Sequence, residues 1–235
     1  MRPVQRKRQR EFYGGFLRTG QLVFDVGANV GDRSAVFLAL GAKVIAVEPQ
    51  QACVEALRAR FQERVVVIAQ GLAEAPGVRK MALADVDTVS TMEPEWVSSM
   101  TASQRFGEMK WSEPVDVTVT TLDRLIEEHG VPAFIKVDVE GFESGVLAGL
   151  TQAVPLISFE FVAERPGATA ACAQRLASLG MTEFNFSEGE SMSFASEQWM
   201  DSDALLGQMS ALGEAGAWGD VYARPSLRRA SHSSE

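Results

Sequence analysis

Short apolar runs alternate with amphipathic stretches along the first third of the chain. Residues 22–26 (LVFDV), 43–48 (KVIAVE) and 64–69 (RVVVIA) are dominated by β-branched and other apolar side chains. Residues 32–40 and 51–61, between them, place apolar side chains at helical spacing. Apolar strands joined by helices predict parallel strands covered on both faces. Gly20, Gly41 and Gly71 fall where one state gives way to the next. The pattern predicts a doubly wound α/β sheet.

After Gly77 the rhythm weakens. Residues 78–84 read as one further strand, but 85–113 show no period while carrying Met92, Trp96, Met100, Met109 and Trp111. An irregular insert of this length is a functional lid or a disordered segment. Its aromatic and methionine content weighs against disorder, so a cap over the substrate is expected, the alternative being a loop whose aromatics pin it to the surface. Regularity returns with strands at 115–120, 133–140 and 156–161 and helices through Leu125, at 142–150 and at 170–179. A closing pair of strands, 184–186 and 220–223, flanks a short helix near 203–212. The expected organisation is a single domain over 11–225, with a basic tail (1–10) and a Ser-rich tail (226–235), both unstructured.

Composition narrows the partners. The 235 residues are 46% hydrophobic and 23% charged, and the formal net charge is -9. Phosphate backbones require clustered Lys and Arg, so nucleic acid is not the expected partner. No segment is apolar and long enough for a bilayer. The basic start MRPVQRKRQR lacks the apolar stretch of a signal peptide, so a cytoplasmic protein is expected. Cys53 and Cys172 read as buried reduced thiols, and with His129 and His232 they give no zinc-type spacing. His129 sits at a helix end and His232 in the Ser-rich tail, so neither is a strong candidate for a catalytic base.

The candidate chemistry begins at Asp25-Val-Gly-Ala-Asn-Val-Gly31, a strand running into a loop and then a helix. Gly27 and Gly31, flanking Ala28 and Asn29, permit a tight turn, and Asn29 tolerates positive φ. The helix behind the loop offers free N–H donors. Dinucleotide sites share this arrangement, but Asn29 stands where the second glycine of G-x-G-x-x-G belongs, which disfavours an NAD-dependent oxidoreductase. A carboxylate at Asp25 would repel a pyrophosphate and favour a ligand with an ammonium and a sulfonium. Glu48, closing the next strand, is placed to accept bonds from ribose hydroxyls. A non-catalytic binding domain would be expected to lose one of these acids. Gln70, Gly71 and Leu72, after the third strand, are expected around an adenine ring.

Lys136, Asp138 and Glu140 alternate, so they share one face of their strand. Charges on a covered central strand are costly unless paired or functional. Asp138 and Glu140 lie near the carboxyl end of that strand and Glu160 ends the next, where α/β sheets bind ligands. Lys136 is expected to combine a structural and a functional role. Glu143, in a first helical turn, is expected to be structural.

Taken together, the VFDVGANVGD segment, VIAVEP, Thr121-Leu-Asp123 and Phe134-Ile-Lys-Val-Asp-Val-Glu-Gly-Phe-Glu143 resemble the FkbM family of methyltransferases. The resemblance spans residues 20 to about 160 and weakens from 181 onward. It implies the class I methyltransferase (Rossmann-like) fold, a seven-stranded sheet with an antiparallel last strand and helices on both faces. It also implies S-adenosyl-L-methionine as cofactor and methyl transfer, often to a hydroxyl of a sugar or polyketide-type product. Carboxyl, nitrogen and protein acceptors stay open beside a small-molecule hydroxyl. Asp138, Glu140 and Glu160 are the acid–base candidates. A divalent cation held by Asp138 and Glu160 is the alternative to the metal-independent transfer expected here. Ser90, Thr91, Glu160 and the stretch 185–191 are candidate acceptor contacts.

Overall fold

The computed structural model describes residues 3–84, 90–103, 110–212 and 216–226. In chain order it comprises α1 (Pro3–Gly14), β1 (Leu22–Val26), α2 (Asp32–Ala39), β2 (Lys43–Val47), α3 (Gln51–Phe61), β3 (Val65–Ile68), β4 (Gly71–Leu72) and β5 (Gly77–Met81). There follow α4 (Pro94–Ser103), β6 (Val115–Thr120), α5 (Leu122–His129), β7 (Phe134–Val137) and α6 (Glu143–Ala148). The chain closes with β8 (Ile157–Val162), α7 (Pro166–Ser178), β9 (Glu183–Glu188), α8 (Ser202–Leu212) and β10 (Trp218–Arg224).

Seven strands form one sheet in the order β3-β2-β1-β7-β8-β10-β9. The pairs from β3 through β8 are parallel, and β10 runs antiparallel to both its neighbours. The expected seven-stranded, mostly parallel sheet is therefore present, and its last strand in sequence is the antiparallel one, inserted between β8 and β9. One apolar layer combines Tyr13, Phe37, Leu57 and Phe61 of α1–α3 with Val23, Val44 and Phe134 of the sheet. The other combines Leu125, Leu147, Leu176 and Leu205 of α5–α8 with Phe24, Ile135 and Phe159. Alternation along β1 and β7 sends successive side chains into these two layers, so both faces are covered.

The Thr121-Leu-Asp123 motif is architectural. The Thr121 hydroxyl caps α5 by accepting from Arg124 N at 3.1 Å. Asp123 accepts from Thr151 N at 3.0 Å and from Thr151 Oγ1 at 2.7 Å, tying that helix to the turn after α6.

Several expectations need correction. The basic run expected as an unstructured tail is helical from Pro3 onward. Its Gln9 side chain is buried and donates to Glu190, and Tyr13 is fully buried. Those few non-basic positions attach an otherwise charged helix to the core. The strands near 78–84 and 115–120 do not join the main sheet: β6 pairs with β4 and β5 in a separate three-stranded sheet. The insert contains a helix, α4, whose Trp96 and Met100 bury against Val162. Residues 85–89, Met109, His232 and most of the Ser-rich tail lie outside the described residues.

Candidate active site

Where β1 meets α2 the chain turns through three positive-φ residues, Gly27 (77°), Asn29 (49°) and Gly31 (81°). At Gly27 the reason is contact as well as torsion: a Cβ there would lie 1.7 Å from the Asp138 carbonyl oxygen. The loop is bonded on both sides, Gly27 N and Ala28 N donating to Val47 O and Asp138 N donating to Val26 O. A Cβ on Gly31 would strike the Phe61 ring at 2.3 Å, so the loop also seats on α3. Asn29 Oδ1 accepts from Val30 N at 2.7 Å, closing the turn locally.

Glu48 emerges from β2 directly beneath that turn. Its carboxylate accepts from Asn29 N at 2.9 Å and from Gln50 N at 2.9 Å. Burial raises its pKa, and the two backbone bonds work against that shift.

A cavity of about 690 Å³, counted with its open mouth, lies at the carboxyl ends of β1, β2 and β7. Gly27, Asn29, Glu48, Gln70, Gly71, Leu72, Asp138 and Glu140 all lie on its wall. The loop, the acid on the next strand, the post-β3 segment and the charged strand therefore converge, as expected. Met81 of β5, and Ser90 and Met92 of the insert, complete the lining. Sequence reasoning missed Met81 as a lining residue, because only the second sheet brings it there.

Asp25, Ala28 and Gly31 are not on this wall. Asp25 was expected to face the ligand's ammonium; it lies one residue short of the end of β1, and its carboxylate faces α2. There it is 2% exposed and accepts from Ser34 Oγ at 2.5 Å. It also pairs in register with Lys136 on β7. Burial raises the Asp25 pKa, while Lys136 and the Ser34 hydroxyl oppose the rise. Asp25 thus lies behind the loop, bonded to Ser34 and in register with Lys136.

Lys136 is likewise buried, its Nζ 2.5 Å from Asp138 Oδ2. Burial alone would lower its pKa, but Asp138 and Asp220 outweigh burial and raise it. Asp220 on β10, whose own pKa burial raises, was not anticipated. It sits on the strand face shared with Ser187 and Glu160, a position that only the antiparallel insertion of β10 creates. Arg33 pairs with Glu190, and Gln9 donates to the same carboxylate at 3.1 Å. The stretch 185–191 is thus β9 and a turn tying α1 to α2, and Asn185 bonds Ser196 at 2.8 Å.

The segment after β7 is braced from two sides. Glu143 accepts from Val139 N (3.2 Å) and Gly141 N (3.1 Å), holding Glu140 at φ 53°. Thr91 Oγ1 donates to Glu140 O at 2.6 Å, and Trp96 stacks so tightly on Gly141 that a Cβ would lie 2.7 Å from its ring. Thr91 therefore holds the backbone of the acidic segment, whereas Ser90 reaches the cavity. Glu160 lies in the adjoining cleft with Trp96, Glu143 and Arg165. Burial raises its pKa well above the usual carboxylate range, and Glu140 and Asp138 add to the rise.

Burial likewise pushes the Glu143 carboxyl up to about 7, against its backbone bonds. Because the folded-state value exceeds the unfolded one, its stabilisation is complete below about pH 4.5 and is lost as pH rises through about 7. Glu143→Gln should flatten that fall by on the order of 2–3 kcal/mol between pH 5 and pH 8. Urea titrations of both proteins at the two pH values check it; parallel losses would exclude Glu143 as the source.

The sheet order, with an acid-lined cavity at the carboxyl ends of its parallel strands, is that of an S-adenosylmethionine-dependent methyltransferase, the class that the family match gives. The chain matches the Methyltransferase FkbM domain over residues 25–206, and it belongs to that family. No curated protein matches it. Solved structures of similar fold include a precorrin-6y C5,15-methyltransferase from Geobacter metallireducens (10% identity over 95% of this chain and 86% of that one, TM-score 0.47). A TehB-like SAM-dependent methyltransferase from Corynebacterium glutamicum is 8% identical over 92% and 87%, with a TM-score of 0.47. An O-methyltransferase from Bacillus cereus, in complex with SAH, is 12% identical over 96% and 82%, with a TM-score of 0.46. Among the described residues no helix is long and apolar enough to cross a membrane.

Proposed function

We propose that the protein methylates a hydroxyl oxygen on a small molecule, such as a sugar or natural product. The observation that carries this reading is the pair Asp138 and Glu140 on the cavity wall, with Glu160 beside them. When bound, S-adenosylmethionine would supply a methyl group already activated on a sulfonium. What remains for the chain is to align the acceptor oxygen and take its proton. Asp138, held by Lys136, and Glu140 are carboxylates suited to that proton, with Glu160 as a third.

The cofactor fits the residues present. Glu48 keeps lone pairs for ribose hydroxyls after binding two N–H groups. Leu72, Met81 and Met92 offer an apolar slot for an adenine, with Gln70 and Gly71 at its edge. The carboxylate wall suits a sulfonium and an ammonium. Gly27 and Asn29 bring the backbone to the ligand, while Asp25, Ala28 and Gly31 maintain the loop. Ser90 and Met92 of the insert line the cavity beside the acids, in keeping with a small acceptor. Two buried thiols are in keeping with a cytoplasmic location.

Methyl-labelled cofactor incubated with a panel of hydroxylated sugars and natural products tests the reading. Label recovered as methyl ether supports it; label found only on nitrogen, carboxyl or protein acceptors overturns it. Asp138→Asn should leave S-adenosylhomocysteine affinity near wild type and lower turnover roughly 100-fold or more, the scale of a lost general base. A fully active variant would remove Asp138 from the proton's path.

A further inference from the structure

We infer that Asp138, Glu140 and Glu160 form a binding site for a divalent cation of the Mg²⁺ or Mn²⁺ type, on the acceptor side of the cofactor cavity. One carboxylate oxygen of each lies within 4.8 Å of the other two. Oxygens on opposite sides of a bound ion are separated by two metal–ligand bonds, ~4.1 Å for Mg²⁺ and ~4.8 Å for Ca²⁺. Only one pair of three ligands can be trans, so the carboxylates must draw closer on one another to hold a single ion. They come from the segment after β7 and from the parallel strand beside it, a pairing made by the sheet.

The independent observation is at Glu160. Its Oε2 is shut off from solvent and has no hydrogen-bond donor. A buried carboxylate oxygen without a donor is costly and rare in folded proteins. The strongest charges acting on Glu160 are Glu140, Asp138, Glu143 and Asp220, all of its own sign. Among the described residues, neither Lys136 nor Arg165 is bonded to Glu160. Lys136 is paired with Asp138, and Arg165, in the same cleft as Glu160, donates to Gly141 O at 3.3 Å and Glu95 Oε2 at 3.4 Å. An all-oxygen donor set with excess negative charge is what hard divalent cations take. Asp138 and Glu140 also line the cavity, which leaves the ion's remaining positions open to an acceptor oxygen.

An ion held there would bind the acceptor hydroxyl and lower its pKa, so that its proton leaves more readily to a carboxylate or to solvent. This role rests on the hydroxyl-acceptor reading above; the binding itself does not. It is the alternative to the metal-independent transfer expected from sequence.

The test is an electron paramagnetic resonance titration of Mn²⁺ into the full chain, stripped with EDTA and dialysed, with and without S-adenosylhomocysteine. The expected result is loss of the free-ion signal by a single site per chain. Glu160→Gln and Glu140→Gln should each weaken it by at least about tenfold. An undiminished free-ion signal, or wild-type binding by both variants, overturns the site. Glu160→Gln removes a buried, unpaired carboxylate, so its melting temperature should equal or exceed that of wild type. If it falls instead, Glu140→Gln decides. Methyl transfer to a hydroxyl acceptor without Mn²⁺ binding would sink this inference alone. Mn²⁺ binding with no hydroxyl acceptor would sink the acceptor reading alone.

Discussion

Gly27→Ala should cost the protein its cofactor. The new methyl would lie 1.7 Å from the Asp138 carbonyl, which is backbone and has no rotamer to escape into. It would also sit at φ 77°, where a Cβ costs ~1–2 kcal/mol before any clash. Relief requires parting β1 from β7, which breaks the Asp138 N to Val26 O bond and moves Asp138 off the cavity wall. Affinity for S-adenosylhomocysteine should fall by at least about 100-fold, equivalent to ~2.7 kcal/mol. Calorimetry measures it directly. Binding within a few-fold of wild type would mean that the loop accommodates the methyl and that the glycine serves folding alone.

Lys136→Met should be the most destabilising single change near the site. The lysine is 2% exposed and stands among Asp25, Asp138 and Asp220, of which Asp25 and Asp220 are themselves buried. Methionine fills the volume but leaves those carboxylates without their shared cation, and removing one partner of a buried pair costs about 3–5 kcal/mol. In a chain of this size that lowers the melting temperature by roughly 10 °C. The sign of the pH dependence follows from Asp25 and Asp220, whose folded-state pKa values are already raised by burial and would rise further without Lys136. The variant's deficit should therefore grow as pH rises and shrink toward pH 5, where protonation relieves it. Thermal melts at pH 5 and pH 8 check this. A deficit independent of pH would mean lost packing, with no role for the charge.

Much of the site was legible because it is local. The three positive-φ positions of the loop occur at two glycines and an asparagine, residues that advertise that conformation in any sequence. Glu48 announces itself by closing an apolar strand. Alternation predicts one face for Lys136, Asp138 and Glu140, but β7 ends at Val137 and Glu140 turns to φ 53°, so it is the segment after the strand that brings Asp138 and Glu140 to the cavity. Spacing says where Asp25 stands along β1 and not which layer its carboxylate enters; the bond to Ser34 and the register with Lys136 come only from the fold. The helix in the insert was missed because α4 is held by Trp96 and Met100 packing on residues far away in sequence. Its own periodicity is weak.

By itself, then, the sequence determined the alternation of strands and helices, the cofactor loop and the family, since each depends on short-range periodicity and local torsion. Only the tertiary structure decided which acids meet. Asp138 and Glu140 join Glu160 because β7 pairs with β8, and Asp220 enters because β10 inserts antiparallel between β8 and β9. Those contacts depend on strand order and register, which long-range packing sets and no local spacing encodes. The three-carboxylate cluster, and with it the cation inferred there, exists only at that level.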